Sequence, residues 1–401
     1  MTANRRTRAG ADTTVVTPLR TIGLLILSLP VAIGPGRASG ATQARNLASA
    51  YLVGRMGFDE RNMKTIESGR PVARTVDGRA AEDIGVVGAI RIQAPPTALL
   101  ARLRDIVAFE KSPSVLQIGL FGATPSLNDV KGLTLDADDL SALQSCTPGA
   151  CDLQLPDSVI KRFQSEVNWR APKSAETATA MMRQHLVDLV TAYRSSGNDG
   201  LGRYDDDRPG VHVAEEFRLL GFAYDLPAPL PALASYLTDY PRAPLRGAEE
   251  FFYWSKVEFG LKPTIRVNHL TIYPTSDRRD GLRYVAATKQ LYASHYFSTA
   301  LELRFLLSDP ARPDDGFILL LVTKSRIRGL SGLVGGTIRL VVKGRAARSM
   351  ERHLEHTKKR AEGIVPRIVE NSGESARSIS PEFSTIRGTT PYRSASSKSS
   401  R

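Results

Sequence analysis

Three residues of this 401-residue chain stand where their chemistry needs an explanation. Lys289 and His295 fall on the apolar phase of a two-residue alternation that runs over residues 282–307, and His269 falls on the apolar phase of a shorter alternation at 264–273. Residues two apart in an extended chain share a face, so all three side chains are aimed at a core. If the two alternations form a hairpin that pairs odd residues with odd residues, His269 comes nearly opposite Lys289. A buried ammonium without a partner is costly, so Lys289 needs a carboxylate, a bound anion or a lowered pKa. The chemistry that follows is recognition: Lys289, His269 and His295 would orient the polar head of a ligand in an otherwise apolar cavity. The competing reading is that the strand twists Lys289 out to solvent while His295 bonds a backbone carbonyl. Tyr284, Tyr292 and Tyr296 share the opposite phase with Gln290 and Ser294. Aromatic rings with a polar tip suit a half-wet pocket wall, and equally suit packing beneath helices.

Catalytic arrangements are not legible. The chain has no Gly-x-Ser-x-Gly elbow, no phosphate-binding glycine loop and no His-Glu-x-x-His, so no catalytic residue is assigned. His353 and His356 are three apart on a predicted helix and could share a metal face, but no third ligand accompanies them, so no metal is expected. Asp205, Asp206 and Asp207 lack the following Gly and distal Glu of a calcium loop and read as a solvated turn. No cofactor is expected.

The elements that must position these groups are strands and one long helix. Residues 84–94 and 115–121 read as strands, as do 264–273 and 317–325, the last apolar on both faces and therefore central. The 282–307 alternation reads as one long strand, with a bend or bulge near Ser298 and Thr299. An antiparallel meander of three long strands results. Thr97 is placed to cap a helix carrying Leu99, Leu100 and Leu103. From about 124 to 262 the pattern is helical in short pieces, with Asp136, Asp157 and Ser174 as caps; its last piece, 248–259, contains FFYWSK and is apolar nearly all round. A helix over 331–362 repeats Leu333, Leu340, Ala347, Leu354 and Ala361 every seven residues, so one stripe can lie along the sheet. The fold class predicted is α+β.

Composition sets the frame around these elements. With 42% hydrophobic and 24% charged residues the chain is ordinary globular protein. The formal charge of +13 is concentrated: residues 324–360 hold eleven Lys or Arg and two Glu. Arg339, Lys343, Arg345, Arg348 and Arg352 flank the apolar stripe of the terminal helix, where they could touch an anionic membrane surface or form a solvated face. No recognition motif accompanies the charge, so nucleic acid is not expected as a partner. Arg5, Arg6, Arg8 and Arg20 precede an apolar run at 21–34 and then Ala38, Gly40, Ala41 and Ala44, the pattern of a secretory signal over 1–40. The run is short for a membrane span, though an uncleaved signal anchor stays open. In an oxidising compartment, periplasmic or extracellular, Cys146 and Cys151 of CTPGAC would pair across the Pro148-Gly149 turn. The organisation read from the sequence is a signal (1–40), a poorly defined segment (41–82), one α+β domain (83–362) with a helical insertion at about 124–262, and a Ser/Arg-rich disordered tail (363–401).

Two stretches carry a resemblance to a known superfamily. GAIRIQAPPTALLARLRD (88–105) is similar to the opening strand, Ala-Pro turn and first helix of helix-grip proteins, the START and polyketide-cyclase-like superfamily. FILLLVTKSRIRGLSGLVGGTIRLVV (317–342) is similar to their final strand running into a long C-terminal helix. The resemblance implies a hydrophobic small molecule or lipid held between sheet and helix; no family catalytic residue maps onto this chain. An extracytoplasmic enzyme acting on a lipid-like substrate, and an envelope interaction module without a cavity, are the alternatives.

Overall fold

The computed structural model describes residues 50–221, 230–258, 262–275, 281–308, 315–328 and 332–363. The expected signal at 1–40 and the tail beyond 363 lie outside the described residues.

The segment left undefined from sequence joins the fold through a π-helical stretch (Ala50–Arg55), helix α1 (Glu60–Glu67) and strand β1 (Val72–Asp77). Asp59 starts α1 with a reciprocal cap, its carboxylate accepting from Asn62 N at 2.7 Å while Asn62 Oδ1 accepts from Asp59 N at 3.1 Å. Strand β2 (Asp83–Ile92) ends just before Pro95-Pro96, and helix α2 (Pro96–Arg104), the short α3 (Ile106–Glu110) and strand β3 (Val115–Leu120) follow. Thr97 does not cap α2: the helix begins one residue earlier at Pro96, whose fixed φ suits a first position.

The insertion holds α4 (Ala137–Ser145), α5 (Asp157–Glu166), α6 (Ser174–Ser196), a 3-10 turn (Gly197–Leu201), the two-residue strands β4 (Arg203–Tyr204) and β5 (Val211–His212), α7 (Val213–Leu219) and α8 (Pro231–Asp239). None of the three expected caps acts as one. Asp136 stands at the N-cap of α4, but its Oδ1 pairs instead with buried Lys256 Nζ at 2.5 Å, and Asp157 and Ser174 are already inside their first turns.

The stretch read as the last insertion helix is strand β6 (Glu249–Val257). Phe252, Trp254 and Lys256 point to one side of it and Tyr253 and Ser255 to the other, all of them buried. A strand covered on both faces shows no alternation, and that all-round apolarity is also what a buried helix shows. Strands β7 (Thr264–Pro274), β8 (Leu282–Ala293), β9 (Phe297–Ser308) and β10 (Phe317–Ile327) lead to helix α9 (Gly332–Ala361). The 282–307 alternation is thus two strands, and in place of a bend at 298–299 the chain reverses at 294–296, where Tyr296 takes φ 65°. The alternation survives the reversal because the hairpin pairs Val285 with Phe305, Ala287 with Leu303 and Lys289 with Leu301. Odd residues of both arms therefore face the same way.

All the long strands form one antiparallel sheet in the order β1-β2-β10-β9-β8-β7-β6-β3. As predicted, β10 is interior and covered on both faces. The insertion packs one face, over Val285, Ala287, Leu303, Phe305, Leu320 and Trp254. Helices α2, α3 and α9 pack the other, over Ile90, Leu270, Ile272, Leu306, Leu319 and Leu321. α9 lies close against β2: a Cβ on Gly88 would stand 2.7 Å from Met350 Cγ and 2.8 Å from Leu354 Cδ1. The architecture is α+β, an eight-stranded antiparallel sheet with the C-terminal helix packed on it.

Candidate functional site

Lys289 comes from the middle of β8 and is fully buried. Its Nζ donates to Asn198 Oδ1 in the 3-10 turn and, at 2.9 Å, to Leu237 O in α8. It also lies 4.0 Å from the centroid of the Phe217 ring in α7 and 5.1 Å from that of Tyr193 in α6, so aromatic faces complete its surroundings. Burial pushes its ammonium down to about 7. His269 is its cross-strand partner, the register anticipated from the alternation. The His269 ring stacks on Phe252 at 4.3 Å, with Nδ1 3.3 Å from Tyr193 Oη and Nε2 3.2 Å from Tyr236 Oη and 3.4 Å from Glu250 Oε2. Burial pushes the imidazole down, outweighing the Glu250 carboxylate beside it. The bond to His269 in turn holds Glu250 below the usual carboxylate range. Two neighbouring strand residues thus tie α6, its following turn, α7 and α8 to the sheet.

That arrangement corrects both sequence readings of Lys289. The side chain does not twist out to solvent, and it does not face the space between sheet and terminal helix. It faces the insertion, sealed, with two donors bonded and the Phe217 ring face beside it.

The other expected ligand-binding residues lie elsewhere. His295 sits in the β8–β9 turn with Nδ1 3.0 Å from Asp152 O and Nε2 3.0 Å from Asp139 Oδ1, fixing α4 and the loop behind it. That loop carries the Cys146–Cys151 disulfide. Tyr292 has left the phase of Gln290, because the β7–β8 register slips between Val267 and Asn268 and leaves Leu291 unpaired. It therefore packs on the insertion side, with its ring centroid 5.5 Å from that of His185 and 6.1 Å from that of Tyr204. Tyr296 is the turn residue, its hydroxyl accepting from Lys262 N at 3.0 Å. Tyr284 alone among the six packs against the α9-side core. Six residues expected around one cavity occupy four separate places.

A different set converges on the α9 side of the sheet. Asn268 and Gln290 are cross-strand partners on β7 and β8, and Tyr253 on β6 pairs with Asn268. One row away, Thr288 on β8 pairs with Glu302 on β9. Arg304 Nη1 donates to Thr288 Oγ1 at 3.1 Å, while Nη2 lies 2.5 Å from Glu302 Oε1 and 3.5 Å from Glu110 Oε1 at the end of α3. Burial alone would push the Glu302 carboxyl up, but Arg304, His353 and Arg266 outweigh it and hold it down. Arg266 Nη2 reaches Asn268 Oδ1 at 3.4 Å.

This face of the sheet carries unmet bonding capacity, as does the insertion side at Asp139, His185 and Tyr292. Both amide atoms of Gln290, Nδ2 of Asn268, Nε of Arg304, Nε2 of His353 and Oγ1 of Thr357 are buried without a hydrogen-bond partner among the described residues. Gln290 is 2% exposed and Asn268 0%. His353 and Thr357 are one turn apart on α9, beside the buried Met350 and Leu354 that dock it. Each orphaned polar group costs roughly 1–3 kcal/mol, so such a concentration wants a partner. Sequence reading passed over this set because it weighed single polar residues on apolar phases. The usable signal was the pairing of polar residues two apart, Arg266 with Asn268, Thr288 with Gln290 and Glu302 with Arg304, in three strands whose other phase is apolar.

The remaining candidates have structural partners. Asp206 is buried and paired with Arg328 at 2.6 Å, and Asp205 accepts from Arg203 at 2.6 Å, so the acidic run is pinned rather than a solvated turn. His356 Nε2 accepts from Arg360 Nε at 3.1 Å. Among the described residues no group of three or more His, Cys, Asp or Glu could hold a metal ion, and no helix is long and apolar enough to cross a membrane. Of the basic residues on α9, Lys343 is committed to Asp77 at 2.6 Å, Arg345, Arg348 and Arg352 are exposed, and the Arg339 side chain lies outside the described residues. The chain matches no protein-family model, and no curated protein matches it.

Proposed function

We propose that this chain is an exported binding protein that holds an amphiphilic, lipid-like molecule between its sheet and α9. The polar end of the molecule rests on Gln290 and Asn268. The observation that carries the reading is the cross-strand pair Gln290 and Asn268 on that face, with both amide atoms of Gln290 and Nδ2 of Asn268 buried without a partner among the described residues. Phe109, Leu270 and Leu306 supply the apolar surface beside it, the combination of apolar walls and few polar groups that small-molecule sites use. The disulfide fits an oxidising compartment and supports export. A helix-grip relationship belongs to the same proposal, since a sheet holding a long C-terminal helix is what that resemblance implies.

Peripheral contact with an anionic membrane is a second reading, favoured by one observation. Arg70, Arg348 and Arg352 converge with Glu351 and Glu355 around an open groove of about 380 Å³ on the outer side of α9. Each well-placed cation near an anionic surface is worth about 1 kcal/mol, and the two Glu offset part of it.

Native mass spectrometry of the purified mature protein tests the main reading. The expected spectrum contains a species heavier than the chain by the mass of one small amphiphile, lost in Gln290→Leu. A protein that is empty, takes up no added lipid and ignores anionic vesicles would contradict it.

A further inference from the structure

Resting on the binding reading above, we infer that the group held on the Gln290–Asn268 row is an uncharged hydroxyl or amide head, as in an acylglycerol, a ceramide or a lipid alcohol, and not a phosphate or carboxylate. Two independent features point there.

The first is the donor and acceptor inventory. Gln290 offers a free donor and a free acceptor, and Asn268 a donor. A hydroxyl gives one hydrogen bond and accepts two, and an amide both gives and accepts, so either meets these three. A carboxylate or a phosphate dianion only accepts, and would leave Gln290 Oε1 buried and unmet beside it.

The second is charge. The cation of this patch that reaches deepest, Arg304, is 2% exposed and already lies between two carboxylates, Glu302 at 2.5 Å and Glu110 at 3.5 Å. Its only unpartnered atom is Nε, while Arg266 and His353 are drawn toward Glu302 as well. The patch has therefore matched its charges internally. An added anion would be set against Glu302 and Glu110 in a desolvated site where like charges repel strongly. A neutral head meets no such opposition.

The test uses three ligands of one chain length, 1-palmitoylglycerol, palmitic acid and 1-palmitoyl lysophosphatidic acid, titrated into the full mature protein with binding read by isothermal calorimetry. The expected result is that the acylglycerol binds at least about tenfold more tightly than either acid, and that Gln290→Leu weakens acylglycerol binding and so reduces this preference. Because the ladder is measured on the unmodified protein, it stands even if the variant misfolds. Equal or tighter binding of palmitate or lysophosphatidate overturns the head-group inference and leaves the binding reading intact. Failure of all three to bind overturns both.

Discussion

Between about pH 7 and pH 9 the protein is expected to gain roughly 2 kcal/mol of stability, and Lys289→Met is expected to abolish the gain. Burial brings the Lys289 ammonium down to about 7 in the folded state, against about 10.4 in an unfolded chain. Over the interval between those values the unfolded chain holds a proton that the folded chain has lost. Raising the pH strips that proton and penalises the unfolded state, so stability rises by up to about 1.4 kcal/mol per pH unit. Below about pH 7 both states are protonated and the difference is constant. The other resolved shifts act outside this window. The buried His185, brought down to about 4 by desolvation, costs stability as the pH falls below its unfolded value of about 6.5. The buried Tyr193 and Tyr292 are raised by burial, so they lower stability only above about pH 10, where the unfolded chain ionises them. Denaturant titrations of both proteins at several pH values read the effect directly. An identical slope in Lys289→Met would show that the buried amine is not the titrating group.

The second large effect is expected at Arg304. Its guanidinium holds Glu302 and Glu110 on the α9 side of the sheet, and removing one partner of a buried ionic set leaves uncompensated charge worth about 3–5 kcal/mol. Arg304→Met should therefore lower the thermal midpoint by on the order of 10 °C in a domain of this size. Adding Glu302→Gln should recover part of that loss, since the nearer of the two stranded carboxylates becomes neutral. A loss below about 1 kcal/mol, within the range of an exposed pair, would mean that solvent reaches the cluster and that the patch is not the desolvated site described above. So would a double variant no more stable than the single one.

Much of the scaffold was legible because it follows from periodicity. β2, β3, β7 and β10, the long helix α6 and the terminal helix α9 all announce themselves by apolar residues at strand or helix spacing. The pairing of His269 with Lys289 was legible on the condition that the hairpin pairs odd residues with odd residues, and the register meets that condition. What escaped has specific physical causes. β6 is buried on both faces, so its sequence carries no alternation. The reversal between β8 and β9 is made by Ser294, His295 and Tyr296, none of them the Gly or Asn-Gly that usually marks a hairpin turn. Tyr296 accepts a left-handed conformation there while its hydroxyl is bonded to the backbone at Lys262. The side toward which a strand phase points is set by which helices cover it, and alternation says nothing of that. Lys289 was therefore placed on the correct phase and against the wrong layer. The register slip at Leu291 moved Tyr292 across the sheet, a one-residue event that alternation cannot report.

The location of the ligand is the central claim, and cross-linking reads it most directly. A palmitoylglycerol analogue with a photoactivatable group next to its head would be irradiated in complex with the mature protein, and the labelled peptides mapped by mass spectrometry. Labels are expected on the peptides carrying Asn268, Gln290 and His353 to Thr357. Labels confined to α6, α7 and α8 around Lys289 would contradict the account.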